Sequence, residues 1–261
     1  MTILEKIVAN KHKEVSKRKI LHSTKQLEQS KLFERTTRSL STALKNSGTG
    51  IIAEHKRRSP SKASINERLN VGEVAKGYEH AGVCGMSVLT DEKYFGGNLD
   101  DLLLAREHCD LPLLRKEFII DPFQIIEAKA YGADVILLIA AILTRDEIKQ
   151  FSEFAKQLHL DVLLEVHNEE ELHKSLMPSL DMLGVNNRNL KTFDVNLETS
   201  KKLSTLIPED FVKVSESGIS SPLAIKALRP YGYEGFLIGE QFMKTNDPGE
   251  SAATFIKQIK P

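Results

Sequence analysis

The chain carries no surplus of charge. Its 36 Lys and Arg residues are matched by 36 Asp and Glu, so no global field draws it to nucleic acid or to an anionic membrane. A local basic patch is compatible with that balance. No apolar run approaches the roughly 20 residues that a membrane span needs. The opening segment, MTILEKIVANKHKEVSKRKI, places charges among its apolar positions and lacks a signal-peptide core. Cysteine is scarce: Cys84 and Cys109 are the whole complement. That suits a reducing compartment, and their spacing makes neither a CxxC redox motif nor a zinc site. The histidines are scattered and form no HExxH pair. These absences lead us to expect a cytoplasmic monomer with no metal site, no membrane contact and no nucleic-acid partner.

A length of 261 residues accommodates two small domains or one α/β barrel of roughly 250 residues, with a large core in either case. The first forty-odd residues are polar, with Ile3, Ile7, Val8 and Val15 at helical spacing, which predicts an amphipathic N-terminal helix or two. After the break KNSGTG a pattern repeats from Ile51 onward. Each unit is a short apolar run, a polar turn and a charged amphipathic stretch. The eight runs are GIIAEHK, VCGMSVLT, LPLLRKEF, DVILLIAA, DVLLEV, DMLGVNN, FVKVSES and GFLIGE. Between them lie stretches such as NVGEVAKGYEHAG and TRDEIKQFSEFAKQLH.

Near-continuous Val/Ile/Leu runs suit strands covered on both faces, as in parallel sheets. Strand, helix, strand, repeated, implies right-handed crossovers, and eight such units close into a barrel. An open doubly wound sheet would predict a GxGxxG turn after the first strand. That strand ends instead in EHKRRSPSK. No Pro/Gly/Ser-rich linker divides the chain. The expected architecture is one α/β domain over residues 1–261, a (β/α)8 TIM barrel over 47–261 preceded by a helical extension over 1–46.

Chemistry in this fold sits at the C-terminal ends of the strands, so polar groups there carry information. The first run ends in Glu54 and Lys56, two apart and therefore on one side. The third ends in Lys116, with Phe118 on the same side; the fifth in Glu165; the sixth in Asn186 and Arg188; the seventh in Glu216, Ser217 and Gly218; the eighth in Gly239 and Glu240. Each alone has a plain structural reading as a solvated turn residue, a helix cap or a rim ion pair. Glu165 resists it most, because a carboxylate directly after DVLL is costly unless paired or used. The coincidence of so many groups at one mouth points to a site.

A phosphate signal is separate. Ser217 and Gly218 follow the seventh strand and Gly239 the eighth, each ahead of a helix. Barrel enzymes often grip phosphate with those loops, because helix-start N–H groups lack partners and glycine admits close backbone approach. Ser59 and Ser61 in RRSPSK add donors at the same mouth.

The motifs EHKRRSPSK, LTDEKYFGG, LLRKEFIIDPFQI, LLIAAILT, LLEVHNEEEL, LGVNNRNLKTF, VSESGI and FLIGE resemble those of the indole-3-glycerol-phosphate synthase family in residues and in order around the barrel. The resemblance covers nearly the whole chain, extension included. Two positions depart from it: His55 stands where an apolar, outward-facing residue is expected, and Ala63 where glycine is expected. The resemblance implies a phosphorylated small-molecule substrate, 1-(2-carboxyphenylamino)-1-deoxyribulose 5-phosphate. It implies ring closure with loss of carbon dioxide and water, and no metal or organic cofactor. By similarity Lys116 is a general acid and Glu165 the general base. Lys56, paired with Glu54, is the other candidate acid, and the sequence leaves the division between the lysines open. A nearby Lys56 would lower the pKa of Lys116. Asn186 and Arg188 would bind hydroxyls or the carboxylate. Phe95, Phe118 and Leu137 would wall the aromatic ring. Ser59, Ser217, Gly218, Gly239 and the Glu240 backbone would hold the phosphate. A sister barrel, phosphoribosylanthranilate isomerase, suits a cysteine/aspartate pair at strand ends, whereas Cys84 and Cys109 precede their strands. A barrel that merely binds a phosphorylated ligand has no need of two lysines and two glutamates at one mouth.

Overall fold

A computed structural model describes residues 1–259; the last two residues of the expected barrel segment, 260 and 261, lie outside the described residues. The chain begins with helices α1 (Ile3–Leu21), α2 (Thr24–Glu28) and α3 (Leu40–Lys45). Then come β1 (Ile51–His55), α4 (Val71–Ala81), β2 (Gly85–Leu89), α5 (Glu92–Phe95), α6 (Leu99–His108), β3 (Leu113–Lys116) and α7 (Pro122–Ala130). They are followed by β4 (Val135–Ile139), α8 (Arg145–Gln157), β5 (Asp161–Val166), α9 (Glu169–Ser175), β6 (Met182–Asn186), α10 (Glu198–Ser204) and β7 (Val212–Glu216). The barrel finishes with α11 (Pro222–Leu228), β8 (Tyr233–Ile238), α12 (Glu240–Met243) and α13 (Pro248–Lys257). All eight strands are parallel and close into a barrel in chain order, β8 pairing β1. Seven of the eight apolar runs contain a whole strand, and the eighth contains all of β8 but its first two residues, Tyr233 and Glu234. The extension holds three helices rather than one or two, because the polar stretches near Ser23 and Ser39 cap additional short ones.

Local sequence explains the helix starts. Thr144 and Glu147 form a capping box on α8, and Asn168 caps α9 by accepting from the Glu171 amide. Asp121 and Asp247 each cap a helix that opens with proline.

Strand residues alternate between two cores. Ile52, Leu114, Val135, Leu137, Leu163, Met182, Val212 and Val214 fill the barrel interior. Ile51, Ala53, Leu113, Ile136, Leu138, Val162 and Leu164 pack outward under the helices. The interior is closed at its floor by α3, whose Leu40 and Leu44 join the inner cluster. Ser39 and Ser41 tie α3 to Asp161 at the start of β5, at 2.9 and 3.0 Å. The buried thiols Cys84 and Cys109 precede β2 and β3, at the end opposite the strand C-termini.

Candidate active site

The inner parity of each strand, continued to its C-terminal end, delivers the polar groups. Glu54 and Lys56 follow Ile52, Lys116 follows Leu114, Glu165 follows Leu163, Asn186 follows Met182 and Gly184, and Glu216 follows Val214. They meet in a cavity of about 400 Å³. It is lined by every residue singled out from the sequence: Glu54, Lys56, Ser59, Phe95, Lys116, Phe118, Leu137, Glu165, Asn186, Arg188, Glu216, Ser217, Gly218, Gly239 and Glu240. Ser61, the other RRSPSK serine, lines it beside Ser59.

The charged groups form one network. Lys116 Nζ lies between Glu216, to which it donates a hydrogen bond, and Glu165 Oε2 at 3.3 Å. Glu165 Oε1 accepts from Asn186 Nδ2 at 3.1 Å, and His167 Nε2 lies 3.3 Å from it. Lys56 Nζ pairs with Glu54 Oε1 at 2.6 Å. β6 and β7 set Asn186 beside Glu216 by register. A Cβ on Gly184 would come within 2.5 Å of Glu216 Oε1, so glycine in β6 makes room for that carboxyl group.

One ammonium cannot neutralise two carboxylates, and the network resolves unequally. Burial disfavours ionisation of both glutamates. For Glu165 the charge of Lys116, the His167 ring 3.3 Å away and the Asn186 donor override burial and hold its pKa well below the usual carboxylate range. Glu216 has no partner for Oε1. Burial raises its pKa to about 7; Lys116 opposes this, while the charges of Glu165 and Glu54 reinforce it. Burial would lower the pKa of Lys116, but Glu216, Glu165 and Glu54 outweigh it and hold the ammonium above its ordinary range. The expectation that Lys56 lowers the pKa of Lys116 is therefore corrected. Lys56 is occupied by Glu54, and the glutamates set the field at Lys116. The group poised near neutrality is Glu216.

Opposite the charges, Phe95 and Phe118 pack with ring centroids 5.9 Å apart, and Leu137 adds the apolar face of β4. The loop after β7 lines the cavity as well. Ser217 and Gly218 have φ of 66° and 81°. The strained Ser217 is fixed by Asn187, whose Nδ2 donates to the carbonyls of Glu216 and Ser217 at 3.0 and 3.1 Å. Gly239 packs so closely on β1 that a Cβ would meet Glu54 Oε1 at 2.5 Å. Glu240 pairs with Lys62 at 2.8 Å, which lowers its pKa. Arg188 donates to the Phe193 carbonyl at 3.0 Å from the loop after β6.

The sequence reading missed several contributors. Ile3, Leu4 and Ile7 of α1 also line the cavity. α1 is docked by a buried Lys11, 2.9 Å from Asp91 and 3.0 Å from Glu117, the neighbour of Lys116. Sequence spacing could have flagged Lys11, since it shares the buried stripe of Ile7 and Val15. The same parity argument that found Glu165 reaches His167 two residues on. His55 faces the helix layer as expected and is buried there; burial and then the Arg57 charge lower its pKa to about 4.

Comparison with known proteins gives a consistent set of relatives. The family model described as "Indole-3-glycerol phosphate synthase" matches residues 4–255. A protein of that name from Bacteroides thetaiotaomicron is 48% identical over 258 residues, covering 99% of both chains. Its namesake from Acinetobacter baumannii is 42% identical, covering 98% of this chain and 96% of its own. One from Bordetella pertussis is 40% identical, covering 97% and 98%. A solved structure titled "Native KDPGal structure" superposes with a TM-score of 0.56 at 13% identity, covering 80% of this chain and 91% of that one, a likeness of fold.

Proposed function

The chain belongs to the indole-3-glycerol phosphate synthase family, and we propose that the lysines and glutamates at its barrel mouth divide the acid–base work of that reaction. The enzyme is a carboxy-lyase of tryptophan biosynthesis. It converts 1-(2-carboxyphenylamino)-1-deoxyribulose 5-phosphate into indole-3-glycerol phosphate, carbon dioxide and water.

The carboxyl-bearing aryl carbon attacks the ribulose ketone, and the carbonyl electron pair moves onto oxygen. Lys116, held protonated by its carboxylate neighbours, gives that oxygen a proton. The carboxylate leaves as carbon dioxide, and its bonding pair restores the aromatic ring. The new hydroxyl then leaves as water with a proton from Lys56, while Glu165 takes a proton from the new ring. Two protons are given and one is taken, so each turnover consumes one from solvent. Glu216, with a pKa near 7 and a hydrogen bond from Lys116, can return a proton to that lysine.

Asn186 and Arg188 bind the substrate's hydroxyls or carboxylate, and Phe95, Phe118 and Leu137 wall its aromatic ring. Ser59, Ser217, Gly218, Gly239 and the Glu240 backbone hold the phosphate. The observation that carries this reading is the placement of Lys116 between Glu165 and Glu216, facing an apolar wall. The test is turnover of the carboxyphenylamino substrate followed by indole fluorescence, with Lys116→Ala as the inactive comparison. A folded wild-type protein that binds the substrate without forming indole would overturn it.

A further inference from the structure

His167 touches Glu165 but does not line the cavity at the mouth. It follows β5 by one residue and precedes the cap of α9. Its ring is 9% exposed. Nε2 lies 3.3 Å from Glu165 Oε1, and Nδ1 lies 3.1 Å from Glu171 Oε2. Glu171 is itself held: Oε2 accepts from the His167 amide at 2.8 Å, and Oε1 accepts from Asn168 Nδ2 at 2.8 Å. The ring borders an outer groove with Asn168, Glu169 and Glu198, apart from the cavity that the substrate would fill.

We propose that His167 is a positioning residue for the base: its imidazolium, gripped at Nδ1 by Glu171, holds the Glu165 carboxylate in both orientation and charge. This rests on the reading of Glu165 as the base. The need for such a residue follows from the acid's own chemistry. Lys116 is the cation on Glu165 Oε2, and its charge is lost when it gives up its proton. Glu165 would then face a neutral amine, and its proton affinity would rise before its own step. A second cation on Oε1 that takes no part in the proton transfers keeps the carboxylate available. Asn186, the other donor to Oε1, supplies direction without charge. Around the ring, α9 contributes Glu171 and Glu169, β5 contributes Glu165, and α10 contributes Glu198, Lys201 and Lys202 at the groove. The two carboxylates in direct contact favour the ring's cation: although burial opposes it, they raise the His167 pKa to about 10.

The experiment is the pH–rate profile of His167→Asn, His167→Gln, Glu171→Gln and Glu165→Gln, each checked for folding by thermal melt. With His167→Asn, kcat at neutral pH should fall on the order of 10-fold, for loss of one charged contact at 3.3 Å that lacks hydrogen-bond geometry. KM should stay within about 2-fold, because the ring does not touch the substrate. The acid limb of kcat should move to higher pH, since Glu165 without its second cation protonates more readily. His167→Gln should recover part of kcat, by restoring a donor, yet keep the shifted limb. Glu171→Gln should shift it less, in the same direction. An unmoved acid limb in folded His167→Asn overturns the proposal, as does full restoration by His167→Gln. If His167→Asn does not fold, the limb of Glu171→Gln decides in the same way. A wild-type rate in Glu165→Gln would instead remove the base reading itself. A slow Glu165→Gln beside unmoved His167 variants removes this inference alone.

Discussion

Lys116 shares a single ammonium between two buried glutamates, and this unequal sharing sets what each substitution should do. Lys116→Ala leaves Glu216 without its ion-pair partner and Glu165 with His167 alone. Turnover should be lost, by on the order of 10²–10⁴ for a positioned acid. Substrate analogues should still bind, because the phosphate loops and apolar wall are untouched. Glu165→Gln keeps the shape and the Asn186 contact but cannot take a proton. It should be slow and accumulate a cyclised, undehydrated intermediate in single-turnover experiments. Near-normal kcat in folded Lys116→Ala would transfer the ring-closing role to Lys56. His55 makes a stability prediction of known sign. Burial lowers its pKa to about 4 from an ordinary 6.5, so the unfolded chain takes up a proton that the folded one refuses. The neutral ring's contribution is intact above pH 6.5 and is lost as pH falls toward 4. His55→Leu should therefore show a smaller drop in Tm between pH 7 and pH 5 than the wild type. An equal drop would place the acid sensitivity elsewhere.

At the scale of elements, the N-terminal extension divides into two jobs at opposite ends of the barrel. α1 roofs the mouth with Ile3, Leu4 and Ile7, while α3 plugs the floor with Leu40 and Leu44. The extension should therefore contribute both to enclosing the substrate, at one end, and to the stability of the barrel, at the other. Deleting residues 1–9 removes the apolar roof but keeps Lys11 and its partners; KM should rise with a small change in Tm. Deleting everything before Ser47 also removes the floor plug, and this variant should lose stability outright. Leu44→Ala alone should cost about 2–5 kcal/mol, the range for a buried leucine. Lys11→Ala leaves Asp91 buried without its cation and Glu117 with only the more distant Arg115, at 3.7 Å. Breaking a buried pair in this way costs on the order of 3–5 kcal/mol, and here it should also loosen α1 and raise KM. An unchanged KM in both the short deletion and Lys11→Ala would reduce α1 to a stability element.

For the whole molecule, barrel closure is what brings five strands' worth of charge to one cavity, and two predictions belong to that scale. We expect chemistry without a metal, so a chelator-treated sample should keep its full rate; loss of rate restored by a divalent ion would refute this. Gly239→Val tests how tightly the phosphate loop and the acid pair are packed. Its side chain must displace Glu54, which a Cβ would meet at 2.5 Å, so kcat should fall along with the affinity for substrate and for inorganic phosphate. Unchanged KM would move the phosphate site elsewhere. The architecture and the polar strand-end groups of the mouth were legible in the sequence from local rules, whereas Phe95 and Leu137 were named only through the family resemblance. Apolar runs of strand length alternating with amphipathic helices specify the barrel. Period-two alternation then decides that Glu54, Lys116, Glu165 and Glu216 point inward from the ends of β1, β3, β5 and β7. Neither rule contains distances between strands remote in the chain. That Glu216 rather than Glu165 is pushed toward neutrality, that Lys56 is spent on Glu54, and that α1 and α3 part to opposite ends were decided only by tertiary structure. The reason is physical: a pKa, an ion pair or a docking face depends on which charges and apolar surfaces burial brings within a few ångströms, and sequence neighbours do not set that.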